Sequence, residues 1–172
     1  IKFFAKRPLS STLSTIKEPQ LLAFSTSSSA ATMPVSIKTA EEKLKVKPKV
    51  SQFIIPLGAT INMDGTAMYQ IIAVFFLAQL FDVNLSFTTI ILIALTSLAA
   101  SIGAPSAPGT GIVILSTILI AAGLPAVGVV LLLGVDRILD MTRTMVNVTG
   151  DLTACMFFNK RIKSDEPPED TV

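Results

Sequence analysis

The feature that most constrains this chain is a polar pentad in the middle of a segment that is otherwise hydrophobic enough to lie in lipid. The pentad is Asn62, Met63, Asp64, Gly65 and Thr66. A glycine beside an amide and a carboxylate at membrane depth predicts an unwound helix, which a bilayer tolerates only where protein or a watery cavity surrounds the backbone. Such a break offers carbonyl, amide and carboxylate oxygens, the ligands that hard cations such as sodium prefer. The pentad therefore predicts a cation site inside a broken transmembrane helix spanning residues 48–81.

The composition also indicates a membrane protein. The 172 residues are 51% hydrophobic and 15% charged, with a mean hydropathy of +0.66, above the usual range of soluble domains. Residues 71–138 contain only Asp82, Asp136 and Arg137 as charged residues, whereas residues 38–49 and 160–170 are densely charged. The net charge of +2 is too small and dispersed to favour nucleic acid. With no histidine and one cysteine, an internal disulfide, a zinc site of the usual kind and a histidine-activated nucleophile are excluded, and no enzyme is predicted.

Two segments are too short or too polar to cross a membrane alone, because a spanning helix needs about 20 predominantly apolar residues. Residues 20–45 carry a hydroxyl-rich centre, and residues 85–124 carry a Pro/Gly-rich centre at 101–111 that cannot be helical throughout. We interpret both as re-entrant helical hairpins, and the apolar pattern of the first, at residues 20–35, closes at Pro34. The alternatives are a serine-rich surface turn for the first segment and two short soluble helices for the second. For the broken helix the alternative is a soluble helix-turn-helix.

The last helix, at residues 126–160, carries five polar residues at helical spacing: Asp136, Asp140, Arg143, Asn147 and Asp151. They fall within about 80° of one another on one helix face. Each ionisable group inside a membrane costs on the order of 2.5 to 3.5 kcal/mol on insertion scales, so an inward-facing stripe indicates a functional site. The structural alternative is a salt-bridged face, such as Asp140 with Arg143. The predicted fold is thus an all-α membrane protein with two re-entrant hairpins, one broken transmembrane helix and a final amphipathic transmembrane helix.

The charged groups of this stripe narrow the ligand. The planar guanidinium of Arg143 suits a carboxylate, and an unpaired intramembrane carboxylate such as Asp140 suits an ammonium group. A ligand with both groups is an amino acid, and a second carboxylate has hydrogen-bond donors available at Ser28, Ser29, Thr66, Gly109, Gly111 and Asn147. We therefore expect an acidic amino acid, with cations at Asp64 and Asp151 offsetting its charge.

Three runs, at residues 56–66, 101–111 and 139–151, resemble those of the sodium-coupled glutamate/aspartate transporter family, the dicarboxylate/amino acid:cation symporters. The resemblance extends over residues 21–160. It implies a secondary active symporter that couples inward sodium movement to uptake of glutamate or aspartate, with sodium as co-transported ligand and no other cofactor. It also implies a homotrimer in the lipid bilayer of a plasma or inner membrane. In such a trimer the transport domain moves like an elevator against a fixed scaffold, and the second hairpin is the gate.

The resemblance implies two sets of site residues. The substrate contacts are Ser29, Thr66, Ala107, Gly111, Asp140, Arg143, Thr144 and Asn147. The sodium ligands, through side chains or carbonyls, are Gly58, Asn62, Asp64, Asn147 and Asp151 for one group of ions, and Thr60, Ser101, Ile102 and Ala104 for a further ion with the Met63 sulfur nearby.

The chain departs from the family at several points. Ser27 and Met141 stand where many members have an arginine, Arg137 is present instead, and the hairpin tip has an extra proline. Residues 20–160 correspond to a partial transport domain without the scaffold helices. The alternatives left open are a C4-dicarboxylate symporter and a truncated product that does not transport. Residues 1–19 are predicted as a basic lead-in loop, with a transit peptide as the alternative, and residues 161–172 as a disordered cytoplasmic tail.

Overall fold

The computed structural model describes residues 8–105 and 107–162, and all regular structure in these residues is helical. The elements are α1 (Leu9–Thr15), α2 (Lys17–Thr26), α3 (Ser29–Glu42), α4 (Pro48–Ile61), α5 (Asp64–Leu80), α6 (Phe87–Ser101), α7 (Thr110–Ala121) and α8 (Val129–Arg161), with a 3-10 turn at Ala126–Gly128 before α8. The predicted all-α class is confirmed. The re-entrant course of the two hairpins and the division into domains stay predictions. The predicted disordered tail lies almost wholly outside the described residues.

The predicted break between α4 and α5 is present but shorter than the pentad. Asn62 and Met63 leave the helical region, with ψ of 68° and 52°. Asp64 already begins α5, where its carboxylate interacts favourably with the positive end of the helix dipole. The segment Pro48–Leu80, 33 residues long, is the one stretch of the described residues that is long and apolar enough to cross a membrane.

Helix α8 is the centre of the molecule. Its 33 residues extend about 50 Å, and it packs against α2, α3, α4, α5 and α7. Two apolar clusters flank it. The first joins its C-terminal half to α2, α3 and α4 through Val148 and Leu152, and the second joins its N-terminal half to α5, α6 and α7 through Val129 and Leu132. The polar face of α8 lies between these clusters.

Two local expectations differ from the structure. Part of the predicted lead-in loop is helical, because Thr12 and Ile16 lie one turn apart and are both buried, Ile16 within the first cluster. The first hairpin does not close at Pro34, since α3 continues through this proline to Glu42. Ser36 and Thr39, which follow the proline on this helix, are buried. The arms of the second hairpin end within two residues of their predicted bounds.

Candidate functional site

The predicted polar stripe of α8 faces the interior. Its five members are between 2% and 8% exposed: Asp136, Asp140, Arg143, Asn147 and Asp151. Because helices on both sides cover this face, the side chains meet polar groups from α4, α5 and the second hairpin instead of lipid. The stripe therefore forms the wall on which the site is built.

Asp140 and Arg143 are paired with each other in this state. The Arg143 Nε and Nη2 atoms donate to Asp140 Oδ1 at 2.9 and 2.8 Å. The pair is the salt bridge that the sequence left open as an alternative. It leaves the buried Arg143 Nη1 without a hydrogen-bond partner in the described residues. Since an unpaired buried donor is costly, this nitrogen is available for an incoming acceptor.

Arg143 is supported from α5 by an aromatic ring that sequence reasoning did not select. Its guanidinium carbon lies 5.2 Å from the centre of the Tyr69 ring, within range for a cation–π interaction. The Tyr69 hydroxyl donates to Asp136 Oδ1 at 3.0 Å. Tyr69 lies one helical turn after Gly65, so its spacing from the pentad could have identified it as a residue of the site.

A small cavity opens beside this ion pair. It has a volume of about 10 Å³, close to the minimum for one water molecule. Its walls include seven predicted substrate contacts: Ser29, Thr66, Ala107, Asp140, Arg143, Thr144 and Asn147. Met63, Ser27, Pro105 and Thr110 complete the lining. This volume is too small for an amino acid.

Ser28, the first of the remaining predicted contacts, has a structural role. Its hydroxyl caps α3 by accepting from the Ala31 N–H at 3.2 Å. Ser27 instead faces the cavity in a left-handed conformation, with φ of 51°, and its buried hydroxyl has no partner in the described residues. No local sequence signal distinguishes the adjacent serines, because the choice depends on which one leaves the helical conformation.

The other two predicted contacts are glycines that meet the ion pair itself. The Gly109 N–H donates to Asp140 Oδ2 at 2.8 Å, which connects the second hairpin to α8. An ideal Cβ at Gly111 would lie 1.3 Å from Arg143 Nη1. The absence of a side chain at Gly111 is therefore required for the observed position of Arg143.

The first predicted set of sodium ligands is brought together where the helix break meets α8. Asn62 Nδ2 donates to Asp151 Oδ1 at 3.0 Å, and a Cβ at Gly58 would lie 2.3 Å from the same oxygen. Asp64 is exposed, and its Oδ2 lies beside Gly150 together with the Asn62 amide. Gly58, Asn62, Asp64 and Asp151 thus surround one oxygen-rich region.

Asn147 lies apart from this region, and its side-chain amide is engaged in other contacts. Its Oδ1 accepts from the Gly65 N–H at 2.7 Å, and its Nδ2 contacts Met63 Sδ and Thr66 Oγ1, each at 3.2 Å. Both Asn147 and Met63 line the substrate cavity. Only the main-chain carbonyl of Asn147 is therefore left for the role of sodium ligand that the resemblance implies.

The second predicted set of sodium ligands is brought together by one backbone hydrogen bond. The Gly103 N–H donates to the Thr60 carbonyl at 2.8 Å, which brings α4 beside the tip residues Ser101, Ile102 and Ala104. The Thr60 carbonyl therefore already has one donor. Met63 contacts Asn147 and Thr66 and is not placed among these residues by any hydrogen bond.

Helices α5 and α8 touch backbone to backbone at Gly65. A Cβ at this position would lie 2.3 Å from the Arg143 carbonyl oxygen. Gly65 was predicted as part of the cation site, and the structure shows that it also sets the distance between the break and the substrate-facing helix.

Comparison with known proteins relates the chain to one family. The model of the sodium:dicarboxylate symporter family matches residues 1–161. The chain is 52% identical over 131 residues to an excitatory amino acid transporter 3 from Bos taurus, covering 76% of the chain and 25% of the relative. It is 50% identical over 134 residues to the putative sodium-dependent excitatory amino acid transporter glt-4 of Caenorhabditis elegans, covering 78% and 27%. It is 45% identical over 136 residues to an excitatory amino acid transporter 1 from Ambystoma tigrinum, covering 79% and 25%. The chain thus spans about a quarter of the length of the curated relatives it matches.

Proposed function

Because the chain belongs to the sodium:dicarboxylate symporter family, we propose that it forms the binding region of a carrier that couples sodium entry to uptake of an acidic amino acid. Membership places it in a multi-pass integral membrane protein. The family implies no cofactor besides co-transported sodium.

The observation that carries this proposal is the buried pair of Asp140 and Arg143 beside a small polar cavity. In the proposed binding step the substrate ammonium pairs with Asp140 and its side-chain carboxylate pairs with Arg143, so each protein charge exchanges one partner for another. The exchange leaves no buried charge alone, which would cost several kcal/mol. Ser27, Ser29 and Thr66 supply hydroxyls for the second carboxylate.

Sodium acts as co-transported cargo in this proposal. The carboxylates of Asp64 and Asp151, which both lie beside Asn62, supply the negative charge that a cation needs at this depth. Asn147 connects the start of α5, directly after the helix break, to the substrate cavity, since its amide contacts both Gly65 and Thr66. Binding of the two cargoes is therefore expected to be cooperative and reciprocal in free energy.

Gating by the second hairpin belongs to the same proposal. Two hydrogen bonds, from Gly103 to Thr60 and from Gly109 to Asp140, hold its tip over the cavity. A substrate ammonium that engages Asp140 competes with the second bond, so substrate exchange requires the tip to move. Homotrimer assembly and elevator movement rest on the family resemblance alone.

The test is sodium-driven uptake of radiolabelled aspartate by the full-length protein in proteoliposomes. We expect uptake that requires a sodium gradient, and an aspartate affinity that rises with sodium. Arg143→Gln should abolish aspartate binding, whereas Arg137→Gln, which removes an exposed cation on the same helix, should preserve it. Aspartate affinity indifferent to sodium would contradict the proposal.

A C4-dicarboxylate carrier is the second candidate, favoured by the name of the family. The two candidates are separated at Asp140, because only an amino acid carries an ammonium group for this carboxylate to bind. If the substrate is an amino acid, succinate competes poorly with aspartate, and Asp140→Ser improves the relative affinity for succinate. Strong succinate competition in the unmodified protein would favour the second candidate.

A further inference from the structure

A row of lysines lies where the charged linker between α3 and α4 meets the end of α8. Lys45, Lys47 and Lys49 alternate along the linker and the start of α4, and Lys160 and Arg161 end α8. We call these five residues the basic rim. No part of the transport chemistry proposed above uses them.

The linker is held in place by the residues between these lysines. Leu44 and Val46 are 4% and 3% exposed and belong to the apolar cluster that contains Val148 and Leu152 of α8. The Val46 N–H also donates to the Ala40 carbonyl at 2.9 Å. Because Leu44 and Val46 are buried on either side of it, Lys45 is directed to the surface, and Lys49 at the start of α4 is exposed as well.

Asn159 joins the linker to the end of α8. Its Oδ1 accepts from the Lys47 N–H at 3.0 Å, and its Nδ2 contacts the Lys45 carbonyl at 3.5 Å. This connection brings Lys160 and Arg161 beside the linker lysines. Arg161 is further ordered by Phe157, whose ring centre lies 4.4 Å from the guanidinium carbon.

Among the described residues, two nearby carboxylates are engaged outside the rim. The Glu18 carboxylate pairs with Lys43, which is outside the rim, and the Glu41 carboxylate accepts from the Ser51 hydroxyl at 2.6 Å. Among the described residues, neither Lys45, Lys47 nor Lys160 forms an ion pair. Since like charges repel, gathering these cations on an ordered surface needs an anionic partner to offset it.

The rim also lies at a defined depth. The one apolar span of the described residues begins at Pro48, directly after Lys47, and α8 ends at Arg161 on the same side of the molecule. The rim is therefore at the boundary between hydrocarbon and water. An excess of lysine and arginine at this boundary is typical of the cytoplasmic side.

We propose that the basic rim is a docking surface for anionic lipid headgroups of the cytoplasmic leaflet, with phosphatidylserine as their representative. Juxtamembrane lysines and arginines each contribute about one factor of five in affinity for an anionic surface at moderate salt. The ordered linker adds a fixed spacing of cations that a mobile basic tail does not have. The proposal depends on membrane insertion and is independent of which solute is carried.

The experiment titrates full-length protein in neutral detergent with fluorescent phosphatidylserine and, in parallel, with fluorescent phosphatidylcholine. We expect preferential binding of phosphatidylserine that weakens as salt rises from 0.1 to 0.5 M, because screening shortens the range of the attraction. The triple variant K45Q/K47Q/K160Q should lower phosphatidylserine affinity about a hundredfold. These changes leave the Lys47 backbone and Asn159 in place.

Two matched variants separate charge from fold. K45R/K47R/K160R keeps the charge and should bind phosphatidylserine as the unmodified protein does, and R137Q removes a cation far from the rim and should do the same. Equal binding of both lipids by the unmodified protein would overturn the proposal. So would unchanged binding by the glutamine variant, or preferential capture of an acidic peptide in place of the lipid.

Discussion

Each hairpin has a short connection between its two helices, here called its joint. The two joints lie near the same cavity but are held in different ways. The first joint is only Ser27 and Ser28, and its hydrogen bonds are local: the Ser28 hydroxyl caps α3, and the Ser28 N–H donates to the Thr26 hydroxyl at 3.3 Å. The second joint extends from Ile102 to Gly109 and contains two glycines with φ of 78° and 81°. Hydrogen bonds from Gly103 and Gly109 connect this joint to the rest of the molecule.

This difference indicates which joint is able to move. Opening the first joint would expose Ser27 and Ser29, which are buried, and remove a helix cap. Opening the second breaks two hydrogen bonds, each worth about 1 kcal/mol net and more where the acceptor is charged. We therefore expect the first joint to be a fixed wall and the second a gate.

The largest expected effect is at Gly111, where the second hairpin meets Arg143. Gly111→Ala places a Cβ where Arg143 Nη1 lies, so the guanidinium must move away from the substrate position. Because a displaced charged partner costs 2 to 5 kcal/mol, aspartate affinity should fall on the order of a hundredfold or more. Isothermal titration on the full-length protein measures it. Gly134→Ala on α8, which meets no atom within 4 Å, is the control and should bind normally.

The next effect concerns exchange rates at the two joints. Amide hydrogens at Gly103 and Gly109 should exchange roughly tenfold faster than those at Ser27 and Ala31, because opening the second joint neither exposes the buried serines nor removes the cap of α3. Hydrogen exchange read by mass spectrometry on the substrate-free protein measures this. Sodium with aspartate should slow exchange at the second joint alone. Equal rates at both joints would remove the distinction between wall and gate.

A smaller effect is expected at Ser28. Ser28→Ala removes the cap of α3 and should lower the free energy of unfolding by about 1 kcal/mol. Ser28→Asp, which keeps an acceptor at the cap, should recover most of the loss in the thermal midpoint of the detergent-solubilised protein. Ser25→Ala, at an exposed position of α2, should have little effect. A loss at Ser25 as large as that at Ser28 would mean that capping is not what holds the first joint.

The smallest effect is at the base of the first hairpin, before the membrane segment. The hydrogen bond from Lys43 and its positive charge hold the pKa of Glu18 below its ordinary value. This contact therefore stabilises the folded state above the ordinary pKa of a glutamate and is lost as the pH falls through the lowered value. The thermal midpoints of the unmodified protein and Lys43→Gln should differ slightly at pH 7 and converge at pH 3. A difference that persists at pH 3 would contradict the ionic explanation.

Much of the site could be predicted from sequence because it depends on helical spacing. The five polar residues between Asp136 and Asp151 are spaced three or four residues apart, so a single helix was enough to place them on one buried face. Asn62 and Met63 break the helix because a glycine and polar groups follow within an apolar segment. Both signals are local, and they needed no knowledge of the partners.

What the sequence did not provide depends on contacts between distant segments. The pairing of Tyr69 with Asp136 joins α5 to α8 across 67 positions, and the selection of Ser27 over Ser28 follows from one left-handed residue. The helix at Leu9–Thr15 forms in a stretch predicted as loop because Ile16 is buried by segments far along the chain. Burial of this kind has no signature in local composition.

The contact between Gly65 and the Arg143 carbonyl has a consequence for how this protein tolerates genetic change. No residue larger than glycine fits at position 65 without separating two main chains, so a saturation library at this codon should return glycine alone among functional clones. Positions whose side chains face outward on the same helix, such as Ile72, should accept many replacements.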